Sequence, residues 1–322
     1  MDWKPRLVAL AVALFCVAAA PAATAPARPP IVGVAHITLR VANLERAREF
    51  YGGRLGFPAR RLGGAGLAFQ VNGRQSIEVR ADPGLGDADR LVDIAFETTD
   101  ARGLRAYMAA RGVAVPASVR REASGDLGFA VRDPQGHLVE FVEERGSGRA
   151  RAPAGRAISC HLLHVGLTVS DRAAEDRFYK DILGFREIWH GGMKPGETDW
   201  VDMEVPEGAD WLEYMLNVHH PDVRTLGVMH HLALAEGNVR GSAAELRRRG
   251  LSATRDALPR IGPPQLGRDG KWQANAYDPD GTRIELMNPV PSRKPCCAPF
   301  TGRSAQHPPI CSGQEGRNAR LR

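Results

Sequence analysis

One unit recurs four times along this 322-residue chain: a residue able to bind metal opens a run of alternating apolar residues, and Asn or Asp follows seven positions later. The copies are His36 to Asn43 (HITLRVAN), Asp93 to Asp100 (DIAFETTD), His164 to Asp171 (HVGLTVSD) and His231 to Asn238 (HLALAEGN). The alternation predicts a strand in each copy. Ile37 and Leu39, Ile94 and Phe96, Val165 and Leu167, or Leu232 and Leu234 lie on one face, and the His or Asp lies on the other. The closing Asn or Asp is a good N-cap, so a helix should follow. A cap and a ligand rarely repeat in register four times by chance. The chain therefore reads as four copies of a strand-helix module, each presenting a polar residue on the same side of a sheet.

The words after the caps sort the modules into two kinds. The first and third continue into FYGGRLGF (Phe50 to Phe57) and FYKDILGF (Phe178 to Phe185), where Gly56 and Gly184 suit a left-handed helix stop. The second and fourth have helices ending near Gly112 and Gly250, then DPQG (Asp133 to Gly136) and DPDG (Asp278 to Gly281). Those are tight turns, and each leads into a final strand, HLVEF or TRIEL. Each module thus reads as βαβββ. A stretch rich in Arg, Gly, Ala and Pro, Gly146 to Gly155, divides the body into two pairs, residues 31–145 and 160–290. The expected fold class is α+β, with four βαβββ modules paired into two domains.

A hydrophobic content of 43% is enough for real cores. The net charge of +6 sits at the ends: residues 293–322 hold six basic residues and one acid, the leader holds Asp2, Lys4 and Arg6, and the body between is neutral. A nucleic-acid-binding domain would carry its basic stripe on the folded part, so no nucleic-acid partner is expected. Residues 1–22 read as an export signal, with Lys4 and Arg6, an apolar run from Leu7 to Ala20, and a small-residue cleavage site at Ala20 to Ala22. Phe15 is too bulky for a usual lipobox before Cys16. No stretch is long enough for a comfortable membrane span. The mature protein is expected to be periplasmic or secreted.

Four cysteines follow the leader: Cys160, Cys296, Cys297 and Cys311. An oxidising compartment would favour a disulfide from Cys296 or Cys297 to Cys311, within a basic, Pro-rich tail (293–322) expected to be mostly disordered. Cys160 reads as a small residue near a strand start.

Paired βαβββ modules, a first-strand His, FYxxxLGF, and DPxGxxxE on the last strand resemble the vicinal oxygen chelate superfamily, which includes glyoxalase I, extradiol dioxygenases and bleomycin-resistance proteins. The likeness runs over roughly residues 31 to 290. It implies two cupped mixed sheets, each able to hold a metal on residues from the first and last strands of its modules. Carried onto this sequence, the ligand positions of the second pair are His164, Glu213, His231 and Glu285. Those of the first pair are His36, Glu78, Asp93 and Glu140. The resemblance also allows a homodimer, because modules in this superfamily sometimes pair between chains.

The residue types support the second set by themselves. Two imidazoles and two carboxylates suit Zn, Ni, Co, Mn or Fe(II), with one or two positions left open for water or substrate. Such a centre can bind two neighbouring oxygens of a small-molecule substrate and polarise a carbonyl. In the first pair Asp93 replaces one imidazole, so that half should hold Zn or Fe more weakly. The bland alternatives are a hydrogen-bonded structural histidine and a solvated glutamate. His230 should face away from His231 by alternation, at a module contact. Trp200, Trp211, Tyr214 and Trp272 line either a pocket or the core.

Three functions remain open. A lyase or isomerase resembling glyoxalase I would use Glu213 or Glu285 as the base, although glutathione, the usual co-substrate of glyoxalase I, is mainly cytoplasmic. An extradiol-type Fe(II) dioxygenase would use His164, His231 and Glu285 as its triad. However, the family's acid-base His is replaced by Glu213, and its Tyr, ten residues before the last glutamate, by Asn275. A non-catalytic binder resembling bleomycin-resistance proteins would generally lack the metal residues.

Overall fold

The computed structural model describes residue 1 and residues 26–86, 88–121, 125–144, 155–217 and 223–309. The expected leader cleavage site, most of the Gly146 to Gly155 linker, and Cys311 lie outside them. The first module pair supplies β1 (Ile31–Val41), β2 (Ala59–Leu62), β3 (Gly66–Gln70), β4 (Ser76–Ala81), β5 (Leu91–Thr98), β6 (Arg120–Arg121), β7 (Leu127–Arg132) and β8 (Leu138–Glu143). These form one sheet in the order β2-β3-β4-β1-β5-β8-β7-β6. The second pair supplies β9 (Leu162–Thr168), β10 (Arg186–Gly191), β11 (Trp200–Glu204), β12 (Trp211–Met215), β13 (His231–Ala235), β14 (Arg260–Ile261), β15 (Gln265–Leu266), β16 (Trp272–Tyr277) and β17 (Arg283–Met287). Their order is β10-β11-β12-β9-β13-β17-β16-β14, with β15 also on β16. In both sheets the first strands of the two modules lie side by side and antiparallel (β1 on β5, β9 on β13), so the repeat units meet at the centre.

All four expected caps form. Asn43 caps α1 (Leu44–Ala47), Asp100 caps α2 (Ala101–Ala110), and Asp171 caps α3 (Arg172–Glu175). Val223–Met229 forms α4, a short helix the sequence did not suggest, and Asn238 caps α5 (Val239–Arg248). Each cap's side chain accepts a backbone N–H of the first turn, offsetting one of the donors a helix start leaves unpaired. After α1 and α3 the chain widens into π-helical turns, Arg48–Arg54 and Asp176–Ile182, which close at Gly56 and Gly184 with φ of +85° and +81°. The apolar faces pack as read: Ile37, Leu39, Ile94, Val165, Leu232 and Leu234 have no exposed surface, and each side chain contributes roughly 1.5–3 kcal/mol by burial.

The two repeated motifs meet across the domain boundary. The Tyr51 hydroxyl donates to Asp278 of the DPDG turn at 2.9 Å, and the Tyr179 hydroxyl donates to Asp133 of the DPQG turn at 3.2 Å. Each half thus inserts the aromatic of its FY pair against the turn of the other. Phe96 meets Phe185 edge to face at 5.2 Å, joining the two cores. His230 also lies at this boundary: its Nδ1 is 3.0 Å from Asp89, its Nε2 is 2.9 Å from Thr168 Oγ1, and its ring stands 5.1 Å from that of His137. Asp133, His137 and Glu175 form a further acidic cluster here.

Glu175 accepts the backbone N–H of Gln135 at 3.0 Å across the boundary, while its other oxygen is buried without a partner. Burial, with the nearby Asp133 charge, pushes its carboxyl up to about 9. A carboxyl whose proton is held more tightly in the folded state contributes stability that is fully present below pH 4.5 and is lost as pH rises towards about 9. The slope is at most about 1.4 kcal/mol per pH unit. Glu175→Gln should therefore raise the melting temperature at pH 8 and change it little at pH 4.5. Melts at the two pH values check this, and an equal shift at both would contradict it.

The tail is a correction. Residues 293–309, expected to be disordered, pack on the second sheet, because Phe300 gives this segment an apolar anchor. Its ring lies 5.8 Å from that of Trp211 and 3.6 Å from the Lys271 ammonium. The N–H of Arg303, at the start of α6 (Arg303–Gln306), donates to Glu204 at 2.5 Å, and Trp189 Nε1 donates to the Cys296 carbonyl at 3.1 Å. Cys296 and Cys297 are bonded to each other, in a turn held by the Cys296 N–H on the Arg268 carbonyl, so neither closes a loop to Cys311. Cys160 is disulfide-bonded rather than merely small. No helix among the described residues is long and apolar enough to cross a membrane.

Candidate metal centre

Strand register assembles the second ligand set. Glu213 on β12 and His231 on β13 flank Gly166 of β9 in one cross-strand row. In the next row of the same face, His164 of β9 and Glu285 of β17 flank Ala233. Four polar side chains therefore surround a patch floored by the two small residues.

His164 Nε2 and His231 Nε2 are 3.1 Å apart. Glu213 Oε2 lies 3.1 Å from His231 Nε2 and 3.8 Å from His164 Nε2. Glu285 Oε2 lies 3.6 and 3.7 Å from the same two atoms. Donor atoms sharing an ion at bond lengths of about 2.1 Å stand about 3–3.5 Å apart, close to these spacings.

The electrostatics point the same way. Burial holds both imidazoles well below their ordinary value, so both are neutral. The His231 Nδ1 lies 2.7 Å from the Met229 carbonyl and donates to it, which leaves Nε2 as the acceptor facing the centre, where Arg283 Nη2 donates to it at 2.7 Å. Burial, despite nearby Arg283, pushes Glu285 up to about 8, and the Glu213 charge adds to the rise. Lone pairs and carboxylate oxygens thus converge with few donors among them, an arrangement that a divalent cation satisfies. Trp211 stacks behind His164 at 5.1 Å between ring centres. The buried Lys271 ammonium lies 4.3 Å from the Trp211 ring and 3.4 Å from Asp269.

Like the second set, whose mutually close group is His164, Glu213 and His231 with Glu285 outside it, the first set brings three of its four residues together. His36 Nε2 is 3.6 Å from Asp93 and 3.4 Å from Glu140, while Glu78 is not in this close group. Thr38 stands between Glu78 and Asp93, at the place Gly166 holds in the other sheet. Burial lowers the His36 pKa, but Glu78, Asp93 and Glu140 outweigh it, and His36 is held well above its ordinary value as an imidazolium. Arg120 takes up Glu140 at 3.2 Å. This half is arranged as an ion-paired cluster around a cationic His, unlike the neutral pair of the second.

The second centre opens on a cavity of about 340 Å³, walled by Trp189, Met193, Trp200, Leu266 and Met287, with Arg268, Arg283, Glu213 and Glu285 on its polar side. Trp200 is a wall residue as one of the two readings had it. Trp211 and Tyr214 are fully buried, and Trp272 stacks under Arg240 at 4.0 Å. The sequence reading missed Arg283 and Lys271. Arg283 is two residues before Glu285 and so shares its face by alternation, a signal that was available. Lys271 sits in a turn with no pattern to mark it.

The profile of the glyoxalase/bleomycin resistance protein/dioxygenase superfamily matches residues 33–141 and 161–286. The chain belongs to this superfamily. A search of curated proteins finds no match. Among solved structures, the chain is similar to the E323L mutant of homoprotocatechuate 2,3-dioxygenase from Brevibacterium fuscum, with 20% identity, a TM-score of 0.62, and coverage of 83% of this chain and 74% of that one. It is also similar to the 2,3-dioxygenase LapB from Pseudomonas sp. KL28, with 17% identity, a TM-score of 0.60, and coverage of 84% and 97%. Identities this low show a shared fold. The profile match bears out the superfamily resemblance, and the sheet order bears out the pairing of four modules into two mixed sheets in one chain.

Proposed function

We propose that this superfamily member is an exported, metal-dependent lyase or isomerase acting on a small substrate with two adjacent oxygens. The observation that carries the reading is the placement of Glu213. It lies 3.1 Å from His231 Nε2 on the cavity wall, and its side chain is 13% exposed against 4% for Glu285. His164, His231 and Glu285 would hold the ion, and Glu213 would be a fourth ligand or the base.

A divalent ion held there supplies a Lewis acid that polarises a substrate carbonyl. Glu213 then takes a proton from the carbon beside that carbonyl and returns it to the neighbouring carbon. Because both imidazoles are kept neutral by burial, they offer lone pairs without competing for that proton. Trp189, Trp200 and Met287 exclude water from the substrate's apolar part. Export separates the enzyme from glutathione, so a different substrate from that of glyoxalase I follows.

A second reading is an extradiol-type Fe(II) dioxygenase. The two-His-one-carboxylate set of His164, His231 and Glu285 supports it, as do neighbours named as 2,3-dioxygenases. The cavity wall argues against it, because Asn275 and Glu213 are there and no Tyr lines it among the described residues.

The test combines elemental analysis of the purified protein with two assays. Exchange of carbon-bound hydrogen of dihydroxyacetone with deuterated solvent, without oxygen consumption, is the expected result. Iron-dependent oxygen uptake with catechol and no such exchange would instead establish the dioxygenase. A metal content near two per chain would extend the assignment to the His36 cluster.

A further inference from the structure

Arg283 has an unusual pair of donors. Its Nη2 is 2.7 Å from His231 Nε2, the lone pair that faces the centre, and its Nε is buried with no partner. One lone pair serves one electrophile, so once His231 binds an ion, Nη2 loses that acceptor. Nε–H and Nη2–H lie parallel on one edge of the guanidinium, the edge that grips a carboxylate through two hydrogen bonds.

The charge around the cavity agrees. Glu213 and Glu285 together balance a divalent ion, and Asp269 has Lys271 beside it at 3.4 Å. Arg268 is engaged by neutral groups, the Gly192 carbonyl at 2.9 Å and Cys296 Sγ at 3.0 Å. Arg268 and Arg283 thus place positive charge on the wall without an ion pair among the described residues, in a cavity that Trp189, Trp200 and Leu266 also line.

We infer that Arg283 docks a carboxylate, so that the substrate is an organic acid whose adjacent oxygens meet the metal while a separate carboxylate is held by this guanidinium. The inference rests on the metal-centre reading above and adds the substrate's charge to it. The geometry favours a planar, two-oxygen anion. Arg268, on the same wall, adds attraction for the negative charge without directing it.

The test uses the mature full chain loaded with zinc, so that binding is measured without turnover. The probes are 3,4-dihydroxyphenylacetate and 4-methylcatechol, which present the same adjacent oxygens with and without a carboxylate. Binding is followed by calorimetry, and metal content by elemental analysis. The acid should bind on the order of ten- to a hundred-fold more tightly than the neutral probe. Arg283→Gln should abolish that preference, with zinc content and 4-methylcatechol affinity measured alongside so that the two probes are compared at equal metal loading. Arg283→Lys, which keeps the charge but not the fork, should retain only part of it. Equal affinities in the unsubstituted protein, or a preference that persists in Arg283→Gln, overturn the inference. Failure of the metal reading registers separately, as absence of bound zinc, and it overturns the inference as well, because Nη2 then stays on His231.

Discussion

Gly166→Ala should strip the protein of its metal while leaving both sheets folded. A Cβ at this position would lie 1.9 Å from His231 Cε1 and 2.2 Å from Nδ1. No real contact is that close, so the ring must leave, and in leaving it breaks its bond to the Met229 carbonyl. The backbone of Gly166 needs no left-handed conformation, so alanine itself costs the strand little. Loss of groups that merely orient a ligand weakens metal binding about 10–100-fold, and here the ligand itself is displaced. A loss of at least about 100-fold is expected, measured by competition with a chelator, with circular dichroism confirming the fold. Normal metal affinity in Gly166→Ala would show that His231 does not hold the ion.

The two glutamates should separate cleanly. Glu213→Gln is expected to lower hydrogen exchange on the substrate about 10²–10⁴-fold, the usual contribution of a positioned general base, while the remaining three ligands retain the metal. Glu285→Gln should instead lose metal, because Glu285 lies deeper, beside both imidazoles. Parallel metal analysis and exchange rates on both variants decide between these roles. If Glu213→Gln turned over normally, the base would have to be sought elsewhere.

Much of this architecture could be read from the chain because the repeat carries two independent signals in each copy. The alternation places Ile37 or Val165 inward and the His or Asp on the opposite face, and the following Asn or Asp caps a helix. Both are local, so Asn43, Asp100, Asp171 and Asn238 all appear as caps where expected. The convergence of His164, Glu213, His231 and Glu285 depends on strands far apart in sequence. It became legible only through the resemblance, which supplied the register that periodicity lacks.

What stayed hidden depends on tertiary contacts. The packing of Phe300 against Trp211 and Lys271 turns a Pro-rich, basic segment into an ordered one, and nothing in its composition signals that docking. The difference between the two centres was visible as Asp93 in place of a second His. That Thr38 stands where Gly166 does carries meaning only once both residues are seen to floor a site.

The reciprocal Tyr–Asp contacts tie the two halves to each other. Tyr51 answers to Asp278 and Tyr179 to Asp133, so the tyrosine of each half is complemented by an acid from the other. A change in one half's tyrosine is therefore felt in the other half's turn. The front half, with Asp93 where its partner has His231, thus serves the half with both imidazoles as scaffolding whatever its own centre holds.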